Sequence, residues 1–356
     1  MILTRLRLEH WRGYDSLDLR FPKGLNLILG PNGSGKTNLA EAIAYLSLAR
    51  SWRTSEDRYL IQQGQEEASL FAEILDGAIP HAVGISLSRR GKRILIDGKP
   101  CRKISELSSL ANVLVFSPDD VALFQGPPAE RRACIDVALS KKSSEYFSLI
   151  SAYSKILRER NLALKDPHPD LELIKVYASQ MATLEAPIVA RRRRYVDSLN
   201  SVLPSLMSRL RGEETPCELV YLPFVKEGGD IEKRAEEAHF EALEGELIRR
   251  TTAVGVHRED FRFLHQGKDV ALYGSQGENR LSALCLKLAP YFLIEEEAKK
   301  PVVVLDDVTS ELDEEKQKNL LLLCREFGQA FLTATNLEAE SASVTDVASH
   351  IATRRN

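Results

Sequence analysis

The sequence predicts an α/β protein, a mixed sheet plus an antiparallel sheet, split by an inserted α-helical lobe. Three observations carry this. A glycine-rich turn, Gly30-Pro-Asn-Gly-Ser-Gly-Lys36-Thr37, lies between a strand-like run, Leu25 to Leu29, and a helix-like run, Asn38 to Ala49. Pro301-Val-Val-Val-Leu305 is apolar without alternation, as in a strand buried on both faces of a parallel sheet. Between them, from about Ala129 to Arg250, Glu, Lys, Arg, Leu and Ala dominate and apolar residues recur at helical spacing.

Taken in order, Leu3, Leu6 and Leu8, then Tyr14, Leu17, Leu19 and Phe21, fit two short strands around a turn at Arg12-Gly13. From Leu70 to Ile96 further strand-like runs follow, with hairpin turns at Arg90-Gly91 and Asp97-Gly98, which suggests the antiparallel sheet. In the middle, Tyr177, Met181, Leu184, Ile188, Tyr195, Leu199, Val202, Leu206 and Leu210 form a helical stripe. Pro187 and Pro204 should kink or break it, and the segment is too interrupted for a long free coiled coil. Strand character returns at Phe261-Arg-Phe-Leu264, and Asn279 to Glu297 reads as helix. The expected division is 1–130 and 251–356 for the two parts of the α/β head, with 131–250 as the helical lobe.

The chain has 356 residues, 44% hydrophobic and 28% charged. At about 150 residues per domain, that is two domains or one large domain with an insertion. No apolar run reaches the ~20 residues of a membrane span. The start, MILTRLRLEHWRGY, lacks the apolar core of a signal peptide, so a cytoplasmic protein is expected. The five scattered cysteines include no CxxC pair and suggest neither a disulfide framework nor a zinc site. A net charge of −3 excludes nucleic-acid binding driven by overall charge. Local patches remain candidates: Arg191 to Arg194, Arg89-Arg90 with Lys92-Arg93, and Lys141-Lys142, each weighed against a plain solvated face. Helical spacing spreads Arg191, Arg192, Arg193 and Arg194 around an axis, so not all four can face one partner.

Gly30-x4-Gly35-Lys36-Thr37 fits the phosphate-loop pattern GxxxxGK[ST] without departure. In the turn Gly30-Pro31-Asn32-Gly33-Ser34-Gly35, the backbone N–H groups of all but Pro31 can turn inward around a β-phosphate because glycines permit the turn. Lys36 would reach the β- and γ-phosphates of ATP, Thr37 would offer its hydroxyl to Mg²⁺, and Asn38 follows in the same helix start. The positive end of that helix favours the same anion. Val302-Val-Val-Leu-Asp306-Asp307 ends the buried strand in two carboxylates. Asp306 is placed as the metal-side carboxylate, and Asp307, with Lys36 the catalytic candidate, as base or orienter of the attacking water.

Ser275-Gln-Gly277-Glu278-Asn-Arg280 precedes a helix, and Ser310-Glu-Leu-Asp313 follows the acidic strand. The order of phosphate loop, long insert, S-x-G-x-x-R, acidic strand and S-x-L-D resembles the ABC-type ATPases. Leu8-Glu-His-Trp-Arg12-Gly-Tyr14, Phe116-Ser-Pro-Asp-Asp120, Gly126-Pro-Pro-Ala-Glu-Arg131-Arg132 and Thr252-Ala-Val-Gly255-Val-His257-Arg258 are similar to stretches of the SMC/RecF branch. Over nearly its whole length the chain is identified as a member of the RecF family. The resemblance implies an ABC-type ATPase head that binds ATP and Mg²⁺, with Arg12 near the nucleotide base. Ser275, Gly277 and Glu278 of one subunit would cap the γ-phosphate held by the other, in an ATP-dependent homodimer. It further implies a clamp on single- and double-stranded DNA at gaps and junctions, slow DNA-stimulated hydrolysis, and work with RecO and RecR to load RecA in repair, replication and the SOS response. Some positions depart from the family pattern. Val256 stands where proline is usual, Asn279 where glutamine is frequent, and the Mg²⁺-sensing loop near Ser117-Pro118-Asp119 offers no glutamine. Phe331 to Asn336 offers no switch histidine. The alternative reading is an ABC-type ATPase subunit without a DNA role.

Overall fold

A computed structural model describes residues 1–226, 228–310, 312–335 and 342–346. Glu311 and Asn336, part of two of the motifs above, lie outside the described residues. The chain forms two compact units, one of Met1–Val121, Leu206–Glu214 and Leu284 onward, the other of Ala122–Ser205 and Thr215–Ala283. Residues 251–283, expected with the second part of the head, thus cluster with the helical unit.

In chain order the first unit contains β1 (Ile2–Trp11), β2 (Tyr14–Arg20), β3 (Gly24–Leu29), α1 (Lys36–Leu48), β4 (Glu67–Asp76), β5 (Ile79–Ser88), β6 (Gly91–Ile96), β7 (Lys99–Pro100), α2 (Ile104–Leu110) and β8 (Val113–Phe116). The middle of the chain forms α3 (Pro128–Lys142), α4 (Ser144–Lys165), α5 (Leu171–Asn200), α6 (Leu203–Arg211), β9 (Cys217–Leu222), α7 (Ile231–Arg249), β10 (Asp260–His265), β11 (Lys268–Asp269), α8 (Val270–Tyr273) and α9 (Gln276–Phe292). The boundary between units falls inside α6 and α9. The first unit is completed by β12 (Val302–Leu305), α10 (Glu314–Cys324), β13 (Gln329–Ala334) and β14 (Ser343–Asp346).

The first unit has two sheets. One is antiparallel, ordered β2-β1-β4-β5-β6-β7, and the other runs β14-β3-β13-β12-β8 with every pairing parallel. β3, β12 and β13 are almost wholly buried, which is why their sequences are apolar runs without alternation. β4 alternates, with Ala68, Leu70, Ala72 and Ile74 buried, because only one face of the antiparallel sheet meets the core. Helix α1 packs on β8, β12 and β13, and its Leu39, Ile43 and Tyr45 share one core with Leu6, Leu8 and Trp11 of the antiparallel sheet. Burying a side chain of the size of Leu39 or Ile43 contributes about 1.5–3 kcal/mol. Trp11 meets Tyr45 edge-on at 5.2 Å, which fixes the end of β1 against α1.

The second unit departs from the sequence expectation in three places. Helix α5 runs unbroken through Pro187, since one missing N–H is tolerated where Glu185, Ile188 and Val189 are buried around it and α4 and α7 pack alongside. Pro204 is the second residue of α6, within the first turn, where a helix needs no N–H donor. The expected all-helical middle also contains a strand, β9, paired antiparallel with β10.

The basic run is corrected as well. Arg192 is almost fully buried: it forks onto Asp136 (2.8 and 3.0 Å), bonds Glu259 at 2.6 Å and donates to the Val256 carbonyl at 2.8 Å. Arg191 pairs with Glu145, and Arg193 lies over the Tyr221 ring at 5.1 Å. Only Arg194 is exposed, so the run holds the helical unit together rather than forming a cationic face. Gly255, with φ of 126°, is required next to this network: a Cβ there would collide with the Glu185 carboxylate and sit 2.6 Å from the Tyr153 hydroxyl.

Removing one partner of a buried, hydrogen-bonded charge group leaves the others uncompensated. Arg192→Leu should therefore lower the unfolding free energy of this unit by about 3–5 kcal/mol. Arg194→Ala should change it by less than about 0.5 kcal/mol. Urea unfolding followed by hydrogen exchange of α5 amides checks both.

Candidate nucleotide-binding site

β3 delivers the chain into the loop at the end of the parallel sheet, where Gly30, Gly33 and Gly35 adopt φ of 155°, 82° and 87°. Left-handed glycine at Gly35, the N-cap, lets α1 start abruptly, and no side chain caps that end. Its first N–H groups are thus available to an anion. Lys36 folds back over the loop, donating to the Gly30 and Pro31 carbonyls at 2.6 and 3.0 Å. Pro31, Asn32 and Gly33 are exposed and Ser34 is buried. Asn32 accepts a bond from Thr335 at 3.4 Å.

The acidic strand ends beside this loop. Asp306 Oδ1 accepts from Thr333 Oγ1 at 2.7 Å and from Thr37 Oγ1 at 3.2 Å. Burial, opposed by these two hydroxyls, holds the Asp306 pKa above the ordinary aspartate value. Asp306 Oδ2 is buried without a hydrogen-bond partner. A hydroxyl and an unsatisfied carboxylate oxygen side by side are hard oxygen donors that suit Mg²⁺, which takes few protein ligands and keeps waters and substrate phosphates. No group of three or more His, Cys, Asp or Glu able to hold a metal occurs among the described residues. Asp307 is exposed, with left-handed φ of 52°, and its N–H donates to Thr333 Oγ1 at 2.9 Å. Such a conformation costs a non-glycine residue about 1–3 kcal/mol and clusters at functional sites.

Arg12 lies in the β1–β2 turn, also left-handed at φ of 54°. Its guanidinium forks onto Glu41 of α1 at 2.8 and 2.7 Å and donates to the Tyr59 carbonyl at 2.8 Å. Glu41 is fully buried and also accepts from Ser51 at 2.5 Å, with Arg53 at 3.4 Å. Arg53 reaches Asn38 Oδ1 at 2.9 Å, and Tyr14 donates to the Gly35 carbonyl at 3.0 Å. Sequence reasoning missed Glu41, Arg53 and Thr333. A carboxylate inside the apolar run Leu39 to Leu46 was the available signal for Glu41; Thr333 gave none.

In the second unit, Ser275 and Glu278 form a reciprocal cap at the start of α9. The Glu278 carboxylate accepts the Ser275 N–H at 2.8 Å and hydroxyl at 3.1 Å, while Ser275 Oγ accepts the Glu278 N–H at 3.2 Å. The other Glu278 oxygen meets His265 at 3.3 Å. Ser275 and Gly277 are exposed, and a Cβ on Gly277 would meet nothing within 4 Å. Asn279 is buried and ties three carbonyls, of Val270, Gly274 and Ser275. In the suspected Mg²⁺-sensing loop, Asp119 is exposed; Asp120 is the engaged carboxylate, accepting from Ser117 and pairing with Lys287 at 2.7 Å.

Of the remaining cationic candidates, Lys92 is committed to Asp57 at 2.9 Å and to the Ala49 carbonyl. Arg89, Arg90 and Arg93 are exposed around the β5–β6 hairpin, and Lys142 is exposed at the end of α3.

Comparison with known proteins follows the same lines. The family model of the RecF/RecN/SMC N-terminal domain matches residues 2–356. The DNA replication and repair protein RecF of Symbiobacterium thermophilum is 40% identical over 347 residues, covering 95% of this chain and 92% of that protein. A solved structure of the recombination mediator protein RecF with ATPrS, in the RecFOR pathway, superposes with a TM-score of 0.86 at 30% identity, covering 98% of this chain and 96% of that one. The corresponding RecF–ATP structure gives a TM-score of 0.84 at 31% identity, covering 94% and 92%.

Because burial raises the Asp306 pKa, the folded state binds that proton more tightly than the unfolded chain. The ionised carboxylate therefore costs stability above the raised pKa, and the cost disappears as pH falls through it. Asp306→Asn should unfold at higher urea than the parent at neutral pH, with the advantage shrinking in acid. The same substitution should weaken Mg²⁺-dependent ATP binding at least about tenfold. Urea titrations across pH and calorimetric ATP titrations with and without Mg²⁺ check the two halves.

Proposed function

The chain belongs to the RecF family, and on that premise we propose that it is an ATP-dependent DNA clamp of recombinational repair. The observation that supports the nucleotide part is the convergence of Thr37 and Asp306, 3.2 Å apart, at the mouth of a complete phosphate loop. The DNA part is supported by the relatives, which are replication, repair and recombination proteins.

On this reading, the N–H groups from Gly33 to Thr37 cradle the β-phosphate and Lys36 leaves the Gly30 and Pro31 carbonyls for the β- and γ-oxygens. Thr37 and Asp306 would hold Mg²⁺, which would supply charge neutralisation on the phosphates. Asp307, held by Thr333 at the strand end, orients the attacking water. Ser275 and the exposed start of α9 in a second copy cap the γ-phosphate, so ATP acts as a glue between two chains and slow hydrolysis opens the clamp. DNA binding is to backbone phosphates, with the exposed Arg89, Arg90 and Arg93 as the candidate contact. The protein acts in the cytoplasm at single-strand/double-strand junctions with RecO and RecR, the two other proteins of the RecFOR pathway. Among the described residues no helix is long and apolar enough to cross a membrane.

Lys36→Ala should abolish ATP binding. Ser275→Ala and Gly277→Asp should leave ATP binding by single chains intact, since both positions are exposed. They should block ATP-driven dimerisation and lower hydrolysis by about 10²-fold. Light scattering with ATP, beside single-chain ATP titration, reads this directly. Normal dimerisation of either variant would refute the two-copy site.

DNA affinity should rise with ATP and fall with salt, each phosphate contact adding about 0.9 to the slope of log K against log salt. Arg90→Glu with Arg93→Glu should flatten that slope by roughly 2 if both touch phosphates. DNA binding that is absent with ATP at low salt would favour the alternative of an ATPase subunit without a DNA role.

A further inference from the structure

Glu41 is a charged residue within the otherwise apolar stretch Leu39 to Leu46 of α1, between Ala40 and Ala42 and with Leu39 and Ile43 on either side. It is fully buried. An apolar residue of similar volume would suit the folding of α1 as well, because the gain from a buried ion pair barely exceeds the cost of desolvating it. What the carboxylate does instead is set position. It stands one helical turn after Thr37 and three residues after Asn38, on the face of α1 that begins at the phosphate loop.

Three segments converge on its two oxygens. Arg12 brings the β1–β2 turn, Ser51 and Arg53 bring the chain that leaves α1, and α1 itself carries the carboxylate. Arg12 is held in a left-handed conformation while its side chain is only 18% exposed. The rest of its turn leans on the loop: Tyr14 bonds the Gly35 carbonyl, and a Cβ at Gly13 would lie 3.7 Å from Asn38. Three of the guanidinium N–H groups are spent on Glu41 and the Tyr59 carbonyl. The remaining two are those a nucleotide can use.

We propose that Glu41 is a positioning residue of the nucleotide site, which orients Arg12 beside the phosphate loop and acts on ATP through that arginine. Glu41 touches no phosphate. It neutralises one of the site's cations, fixes the plane of the guanidinium, and ties the antiparallel sheet to the helix that follows the loop. The inference rests on the nucleotide reading above.

The test uses the full chain with Glu41→Gln, Arg12→Gln and the double variant, titrated with a fluorescent ATP analogue and assayed for hydrolysis. Glu41→Gln should weaken ATP binding and raise KM about tenfold, in the range seen when a supporting partner of a ligand-binding group is lost, with kcat within about twofold of the parent. In the Arg12→Gln background the same change should produce no further loss. An ATP affinity for Glu41→Gln within twofold of the parent, or losses that add in the double variant, would overturn the proposal. If Glu41→Gln alone does not fold, Arg12→Gln against the double variant decides: equal ATP affinities support the inference, a further loss overturns it. Lys36→Ala run alongside separates the two levels, since retained ATP binding in that variant removes the site itself.

Discussion

The parallel pairing of β13 with both β3 and β12 is the constraint on which the site depends. It aligns Leu29 with Ala334 on one side and Leu305 with Leu332 on the other, so the phosphate loop and Asp306 leave the sheet at the same edge. Thr37 links the two through its bond to Asp306, and Thr333, the penultimate residue of β13, anchors the acidic strand end. Its hydroxyl donates to Asp306 and accepts from the Asp307 N–H. A one-residue slip of β13 would turn Thr333 to the other face of the sheet and leave the buried Asp306 with only its 3.2 Å bond from Thr37. The apolar sequences of β3, β12 and β13 make such a slip costly, because both faces of each strand are filled.

What the sequence made legible is local. The phosphate loop could be read because glycine spacing, lysine and threonine act through a few consecutive residues of backbone. The run Val302 to Leu305 could be read because burial on both faces removes alternation. The stripe along α5 was equally plain. Partner choice was not. Arg192 looks like Arg194 in the sequence, and only the fold decides that one meets Asp136 and Glu259 while the other meets solvent. Pro187 looked like a helix breaker because propensity weighs one lost N–H, whereas packing along α5 outweighs it. The alternation of Cys217, Leu219 and Tyr221 in β9 was present but short, and the helical composition around it masked it.

Buried charge is used in both units, with different consequences. Around Arg192 the Asp136 carboxylate, the Tyr146 hydroxyl, and the Val256 carbonyl with the Glu259 carboxylate come from three segments: α3, α4 and the stretch before β10. Burial lowers the His257 pKa to about 4, so the imidazole bonded to Tyr153 at 2.6 Å is neutral near pH 7 and adds no further charge to this interior. Around Glu41 the partners also bond elsewhere: Arg53 to Asn38 and Arg12 to the Tyr59 carbonyl. The first arrangement fixes a unique packing of the helical unit. The second ties packing to the orientation of two arginines next to the candidate nucleotide site.

The same distinction bears on whether the nucleotide is fuel or glue. A site pre-organised for the transition state holds its charged groups fixed and shielded from water before substrate arrives. Asp307 is instead exposed and left-handed, with its N–H rather than its carboxylate tied to Thr333. In the signature, the Glu278 carboxylate is turned back onto the Ser275 N–H and hydroxyl, so a negative charge sits at the helix end that the proposed γ-phosphate would approach. On the proposed two-copy reading, both features would leave the completion of hydrolysis to the way a second chain reorganises the two motifs. Under that proposal ATP would do its main work by being held, and hydrolysis would follow as the releasing step.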